Sequence, residues 1–250
     1  LLNKNLIVNL PSMIPPVVAN AILTSGNKIN FIDNTEWVGD SYILHQFEDY
    51  KIIDSAQKVS LNQFKKEANN EDLMIFSFYP TKPVGGSDGG IIVSNDKDKI
   101  NWTSVTSFIG MFKPKFDRNG QAKKSSKNKR SKWYGMTPNE NLKLLDYKKQ
   151  KLNKIRDFYN KELGYNNTSN HLYRIKVDDN KSFIEYMSKN NIVCGIHYES
   201  LHQNKIYNSN QTKCELSTIL SKQTVSIPFH ENLDKNGQLD YIIKCIKKYE

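Results

Sequence analysis

What most constrains this chain is the stretch from Lys51 to Asn95, where short apolar runs stop on polar, chemistry-bearing residues. Lys51–Ile53 leads straight into Asp54, with Gln57 three residues on. Leu73–Phe78 takes in Ser77 and gives way to Tyr79, Thr81 and Lys82. A turn with Gly85, Gly86, Gly89 and Gly90 follows, and Ile91–Val93 resumes the apolar pattern at once. Apolar runs this short, bounded by glycine and polar clusters, predict strands. Open α/β sheets bind ligands outside the carboxyl ends of their strands, and Asp54, Ser77 and Lys82 fall at such ends.

These residue types suit one cofactor chemistry. A lysine amine holds an aldehyde cofactor as a Schiff base. A carboxylate at the far end of a pyridine ring keeps the ring nitrogen protonated and so makes the ring an electron sink. A serine just before the lysine donates to a phosphate, and glycines after it let backbone approach and turn tightly. Pyridoxal 5'-phosphate has all three requirements. Taken singly, each residue has an ordinary reading: a lone lysine is a solvated surface charge and a strand-end aspartate is a turn residue. It is the order and spacing that point to the cofactor.

Ser77-Phe-Tyr-Pro-Thr-Lys82, with its glycine turn, apolar strand and Ser-Asn-Asp, resembles the lysine segment of the DegT/DnrJ/EryC/StrS sugar aminotransferases, a family of fold type I pyridoxal-phosphate enzymes. Asp54-Ser-Ala-Gln57 resembles that family's Asp-Ala-Ala-Gln, at the matching separation from the lysine. The resemblance implies that Asp54 pairs with the pyridine nitrogen and that Gln57 packs against the ring. It implies that Ser77 binds the phosphate, and that Lys82 both holds the cofactor and shuttles the proton. It further implies transfer of an amino group from an amino acid, usually glutamate, to a nucleotide-linked keto sugar, in a homodimer. Gly195-Ile-His197-Tyr198 and then Leu201-His202 resemble the family segment that borders the sugar pocket. His197, Tyr198 and His202, together with Tyr79, are therefore candidates for substrate contact. The alternative for the histidines is a loop role, hydrogen-bonded to backbone.

The chain also departs from the family pattern. Pro15 is not accompanied by the aromatic that stacks on the ring. In Trp133-Tyr134-Gly135-Met136-Thr137, Trp133 stands where the family has asparagine and Gly135 where it has arginine. A catalytically impaired relative acting as a binding or scaffold protein is accordingly the alternative to an enzyme. The chain begins at Leu1, straight in an apolar run, which leads us to expect an N-terminally incomplete cofactor domain without the phosphate-anchoring turn.

Charge is concentrated in one place. Of the net +10, residues 113–132 carry +8, with seven Lys and two Arg against Asp117 alone. A solvated loop is the ordinary reading of such a run. Basic residues there, Lys113 and Arg118 among them, also suit a nucleotide diphosphate. Phosphate contacts with nucleic acid are a third possibility, but no aromatics are interleaved for base stacking, and nucleic acid is not the partner expected. Three cysteines, Cys194, Cys214 and Cys245, lack metal-ligand spacing and read as free thiols. No apolar run approaches the ~20 residues a membrane helix needs, so no membrane association and a cytoplasmic location are expected.

The expected fold is α/β and fold type I PLP-transferase-like. A cofactor domain over 1–138 holds a large mixed, mostly parallel sheet. A linking helix and a smaller C-terminal α/β domain occupy 139–250. Strands are predicted at Leu6–Leu10, Lys28–Ile32, Ser41–His45, His171–Val177, Ile192–Ile196 and Thr224–Ile227. Helices are predicted at Val17–Thr24, Asn139–Leu163, Ser182–Asn190, Cys214–Leu220 and Gln238–Tyr249. Tyr173, Ile184, Met187 and Val193 are expected in the core.

Overall fold

The computed structural model describes residues 5–86, 89–106, 142–207, 213–233 and 236–249. The chain divides into two compact units, residues 46–144 on the one hand and residues 1–45 with 145–250 on the other. Within the larger unit, apolar side chains of the first forty-five residues close a core with the C-terminal part. Val8, Leu10, Ile14, Ala19, Ile22, Phe31 and Trp37 cluster with Leu201 and Cys214.

That larger unit opens with β1 (Ile7–Pro11), α1 (Pro16–Thr24) and β2 (Lys28–Ile32). β1 alternates cleanly, burying Val8 and Leu10 and exposing Ile7. It pairs in parallel with β2, and Asn30 donates to Asn9 across the pair at 2.8 Å. Proline at the start of α1 suits a first turn, whose N–H groups have no intrahelical partner. β3 (Tyr42–Gln46) follows at the boundary between the units.

The unit resumes with α4 (Leu145–Leu163), β7 (Tyr173–Lys176), α5 (Asn180–Lys189), α6 (Glu215–Gln223), β8 (Thr224–Ile227) and α7 (Gln238–Tyr249). β7 and β8 are antiparallel. α4 and α7 bury single stripes, Ile155 with Tyr159 and Ile242 with Ile243, Cys245 and Ile246. These join Tyr173, Phe183, Met187 and Val225 in a second core. α5 is capped by Asp179, whose carboxylate accepts from Ser182 N at 2.7 Å.

The smaller unit carries β4 (Lys51–Asp54), α2 (Gln63–Glu67), β5 (Leu73–Ser77), β6 (Gly90–Val93) and α3 (Lys97–Thr106). β4 runs parallel to β5, and β6 antiparallel to it. Buried Asp72 ties the starts of both parallel strands, accepting from Lys51 N at 2.8 Å and Asn69 N at 2.7 Å.

The α/β class is as expected, but the described strands are parted among three sheets instead of forming one large one. Parallel neighbours need a crossover of a dozen or more residues, usually a helix. Between β2 and β4 a loop and β3 stand where that helix would be. Two further expectations change. Ile192–Ile196 is not a strand: among the described residues only Gly195 bridges Ser226. Asn191 turns the chain at φ 58°, so that Ile192 goes inward at 5% exposure and Val193, expected in the core, is 85% exposed. The linking helix is regular from Leu145, and its expected start at Asn139 lies outside the described residues, as do Trp133 and Gly135.

Candidate active site

Two parallel strands and one turn build the site in the smaller unit. Asp54 is the last residue of β4, opposite Ile75 of β5, and Ser55 N prolongs the ladder to Ile75 O at 2.8 Å. The carboxylate of Asp54 accepts from Ala56 N at 2.9 Å, a local turn that fixes where the side chain starts. Ser77 ends β5. Its Oγ accepts from Tyr79 N at 3.3 Å, so its own hydroxyl hydrogen is left to donate. Gln57 lies beyond β4 and is buried, as is Ser55, whose Oγ takes a hydrogen bond from Gln63 Nε2 at 2.5 Å.

Backbone hydrogen bonds hold the lysine turn. Lys82 N donates to Tyr79 O at 2.9 Å, Gly85 N to Lys82 O at 2.8 Å, and Gly86 N to Phe78 O at 2.9 Å. Phe78 N donates to Gly89 O at 2.8 Å and joins the far end of the turn to the end of β5. Glycine is needed at position 85, because a Cβ there would overlap the carbonyl oxygen of Pro80. At Gly89 the need is conformational, with φ at 111°. Val84 anchors the turn, fully buried, while Tyr79 stays exposed.

The electrostatics make Lys82 unusual. Burial pushes its pKa below that of an ordinary lysine, and the nearby charge of Asp54 opposes the shift. Desolvation disfavours a cation, so the amine is easier to deprotonate while remaining within the field of a carboxylate. A lysine with a lowered pKa is the form that attacks carbonyls.

The remaining sequence-derived candidates fall elsewhere. In the larger unit His197 Nδ1 lies 2.9 Å from Ser226 Oγ, and Tyr198 stacks on Trp37 with ring centroids 6.0 Å apart and planes 7° from parallel. His202 bridges two hydroxyls, Ser12 Oγ at 2.5 Å from Nδ1 and Thr218 Oγ1 at 3.1 Å from Nε2. Burial lowers its pKa and the charge of Asp33 opposes that. Both ring nitrogens thus tie the 3₁₀ turn Leu201–Gln203 to β1 and α6. The structure therefore gathers Asp54, Gln57, Ser77, Tyr79 and Lys82 in one unit, and His197, Tyr198 and His202 in the other. Lys113 and Arg118 lie outside the described residues. Sequence reasoning passed over Arg174 and Trp37. The one available signal was a cation in the middle of a strand, between buried Tyr173 and Ile175.

The sequence model described as the DegT/DnrJ/EryC1/StrS aminotransferase family matches residues 50–247. The UDP-4-amino-4,6-dideoxy-N-acetyl-beta-L-altrosamine transaminase of Campylobacter jejuni is 23% identical over 240 residues, 85% of this chain and 64% of the relative. A transaminase with the same name in Helicobacter pylori is 24% identical over 196 residues, 70% of this chain and 52% of the relative. The chain thus spans about half to two thirds of the length of the curated relatives it matches. Among solved structures, a DegT DnrJ EryC1 StrS aminotransferase from Brucella abortus superposes with a TM-score of 0.70 at 17% identity, covering 99% of this chain and 80% of that one. NtdA from Bacillus subtilis, solved with bound cofactor PMP, gives 0.73 at 14% identity, covering 98% and 68%. At these identities the likeness is one of fold.

Proposed function

The chain belongs to the DegT/DnrJ/EryC1/StrS aminotransferase family, a family of pyridoxal-phosphate enzymes, and from that premise we propose that it moves an amino group from an amino acid to a nucleotide-linked keto sugar. The observation that carries this reading is Lys82, an amine with a lowered pKa in the field of Asp54, at the ends of two parallel strands. The donor set fits pyridoxal 5'-phosphate: a carboxylate for the ring nitrogen, a hydroxyl for the phosphate and a desolvated amine for the aldehyde carbon. When bound, the cofactor supplies an electron sink that lets a proton leave the α-carbon of the amino donor.

The chain's own residues do the rest. Asp54 keeps the ring nitrogen protonated, since a carboxylate held against a cation retains its charge. Ser77 Oγ donates to the phosphate, and buried Gln57 walls the ring. Lys82 Nζ, eased towards its neutral form by burial, would take the proton from the α-carbon of the donor and deliver it to the carbon that was the cofactor's aldehyde. Glutamate is the donor we expect. The named relatives are transaminases of a UDP-linked 4-amino-4,6-dideoxy sugar, which supports a UDP-linked keto sugar as acceptor. His197, Tyr198 and His202, with Tyr79, Lys113 and Arg118, are its proposed contacts. A homodimer in the cytoplasm completes the reading, as the family resemblance implies.

The test is the visible absorption of the natural chain with added pyridoxal phosphate, before and after borohydride, beside Lys82→Ala. The expected result is a lysine-bound cofactor band that borohydride fixes on Lys82 and that the variant lacks. A wild-type protein with no such band at saturating cofactor overturns the proposal.

A further inference from the structure

The larger unit holds a guanidinium whose donors are not all met among the described residues. Arg174 stands in the middle of β7, half-buried, on the face opposite Tyr173 and Ile175. Its Nη1 donates to His197 O at 3.4 Å and its Nη2 to Thr35 O at 3.2 Å. Guanidinium has five N–H donors in a planar fork. Among the described residues no carboxylate pairs with it: its hydrogen-bond partners are two neutral carbonyls. Charges drawn out of water are ordinarily paired, so this cation has been positioned without its counter-charge.

A second donor in the same unit has the same want. Trp37 is 6% exposed, and its indole Nε1 has no hydrogen-bond partner. Buried donors are almost always satisfied, and an exception calls for a reason. Trp37 lies two residues beyond Thr35, whose carbonyl holds Arg174, and stacks on Tyr198, the neighbour of His197, whose carbonyl also holds Arg174. Tyr198 lies close enough to Arg174 to interact electrostatically with the guanidinium. Both groups are donors with capacity to spare, and an oxyanion would serve either.

We propose that Arg174, with the Trp37 indole N–H, binds a substrate oxyanion, a carboxylate or a phosphate, within the larger unit. The guanidinium fork matches either group in a bidentate manner. Its two carbonyl bonds orient the fork before the ligand arrives. A carboxylate would come from the amino donor and a phosphate from the nucleotide. This assignment to a substrate rests on the transaminase reading; the anion site itself does not.

Calorimetric titration of the full natural chain with glutarate, and separately with inorganic phosphate, tests the site without cofactor or turnover. One of the two anions is expected to bind saturably: glutarate identifies the donor carboxylate, phosphate the nucleotide. Arg174→Met is expected to weaken that binding about 10-fold or more, the loss of a charge-assisted pair. Trp37→Phe keeps the stacked ring, removes the N–H and is expected to weaken it about 3- to 10-fold. Circular dichroism reports whether each variant folds. Should Arg174→Met not fold, Arg174→Lys replaces it, keeping the charge and losing the fork, with a weakening of about 10-fold expected. Wild-type protein that binds neither anion, or an Arg174 variant that binds as tightly as wild type, overturns the proposal. A missing Lys82 band with anion binding intact sinks the transaminase reading alone. A normal band without anion binding sinks this inference alone.

Discussion

Gly85→Ala is the sharpest probe of how the lysine is held. The new Cβ would lie inside the van der Waals envelope of Pro80 O. That oxygen is backbone, so no side-chain rotation relieves the overlap and the turn itself has to move. Three hydrogen bonds depend on its present path: Lys82 N to Tyr79 O, Gly85 N to Lys82 O and Gly86 N to Phe78 O, all between 2.8 and 2.9 Å. At about 1 kcal/mol net for each, losing two or three costs about 2–3 kcal/mol. For a protein of this size that corresponds to a fall of about 5–10 °C in Tm. Gly89→Ala provides the contrast. Its φ of 111° strains any side chain, but nothing lies within 4 Å of the added carbon. It is expected to cost about 1–2 kcal/mol of backbone strain and to leave the Lys82 turn in place. Two assays separate the cases: thermal unfolding, and borohydride trapping of pyridoxal phosphate on Lys82. Gly85→Ala should lose stability and trapping together, while Gly89→Ala should lose stability alone. A Gly85→Ala protein that melts with wild type and traps cofactor fully would refute the claim that this close approach positions the amine.

Two further substitutions test charge. Asp54→Asn removes the charge that opposes the effect of burial on Lys82, so the midpoint for trapping cofactor on Lys82 should move to lower pH. Turnover should fall about 100-fold or more, as when a preorganised charge is removed from an active site; an unmoved midpoint would mean the carboxylate does not reach the amine. Asp33→Ala tests a long-range cap, since the Asp33 carboxylate accepts from Leu216 N at 2.7 Å and from Ser217 N at 2.6 Å at the start of α6. The expected loss is about 1–2 kcal/mol in denaturant unfolding, with little added by the charge because Asp33 is exposed. Burial alone would raise its pKa, but the hydrogen bonds from Ser217 and Leu216 outweigh it and lower the pKa. The cap's contribution is therefore present above the ordinary carboxylate pKa of about 3.9. It is lost as pH falls through the lowered value, and wild type and variant should converge there.

Much of the fold was legible because its elements announce themselves locally. β2 and β8 fall where their apolar runs predict, and β1, β4 and β5 within a residue or so. α7 follows directly from the spacing of Leu239, Ile242, Ile243 and Ile246. The misreadings share one cause. Ile192–Ile196 has strand-like composition, but β8 had only one free edge and a tight turn at Asn191 intervened, leaving a single bridge. The apolar faces of β1 and α1 likewise gave no sign that Leu201 and Cys214 would cover them. Local pattern states that a side chain needs a partner and does not say which partner will come.

The same distinction separates the two functional clusters. Asp54 and Lys82 are brought together by elements that follow one another along the chain: a strand, a crossover, a parallel strand and a tight turn. Once β4 and β5 pair in parallel, Asp54 and the turn after Ser77 fall at the same, carboxyl end of the pair, so the sequence could nominate both residues. What it could not supply was the lowered pKa of Lys82, which exists only when the turn is folded over Val84 and the amine is drawn from water. Arg174 is the opposite case. Its carbonyl partners, Thr35 and His197, lie 139 residues before it and 23 after it, and the indole beside them is deprived of an acceptor only in the folded protein. Such a site has no spacing to recognise, and only the account of donors and acceptors in the folded chain brings it to light. Substitutions near Lys82 should therefore act through the short stretch that shapes its turn, and substitutions at any of three distant segments should disturb Arg174.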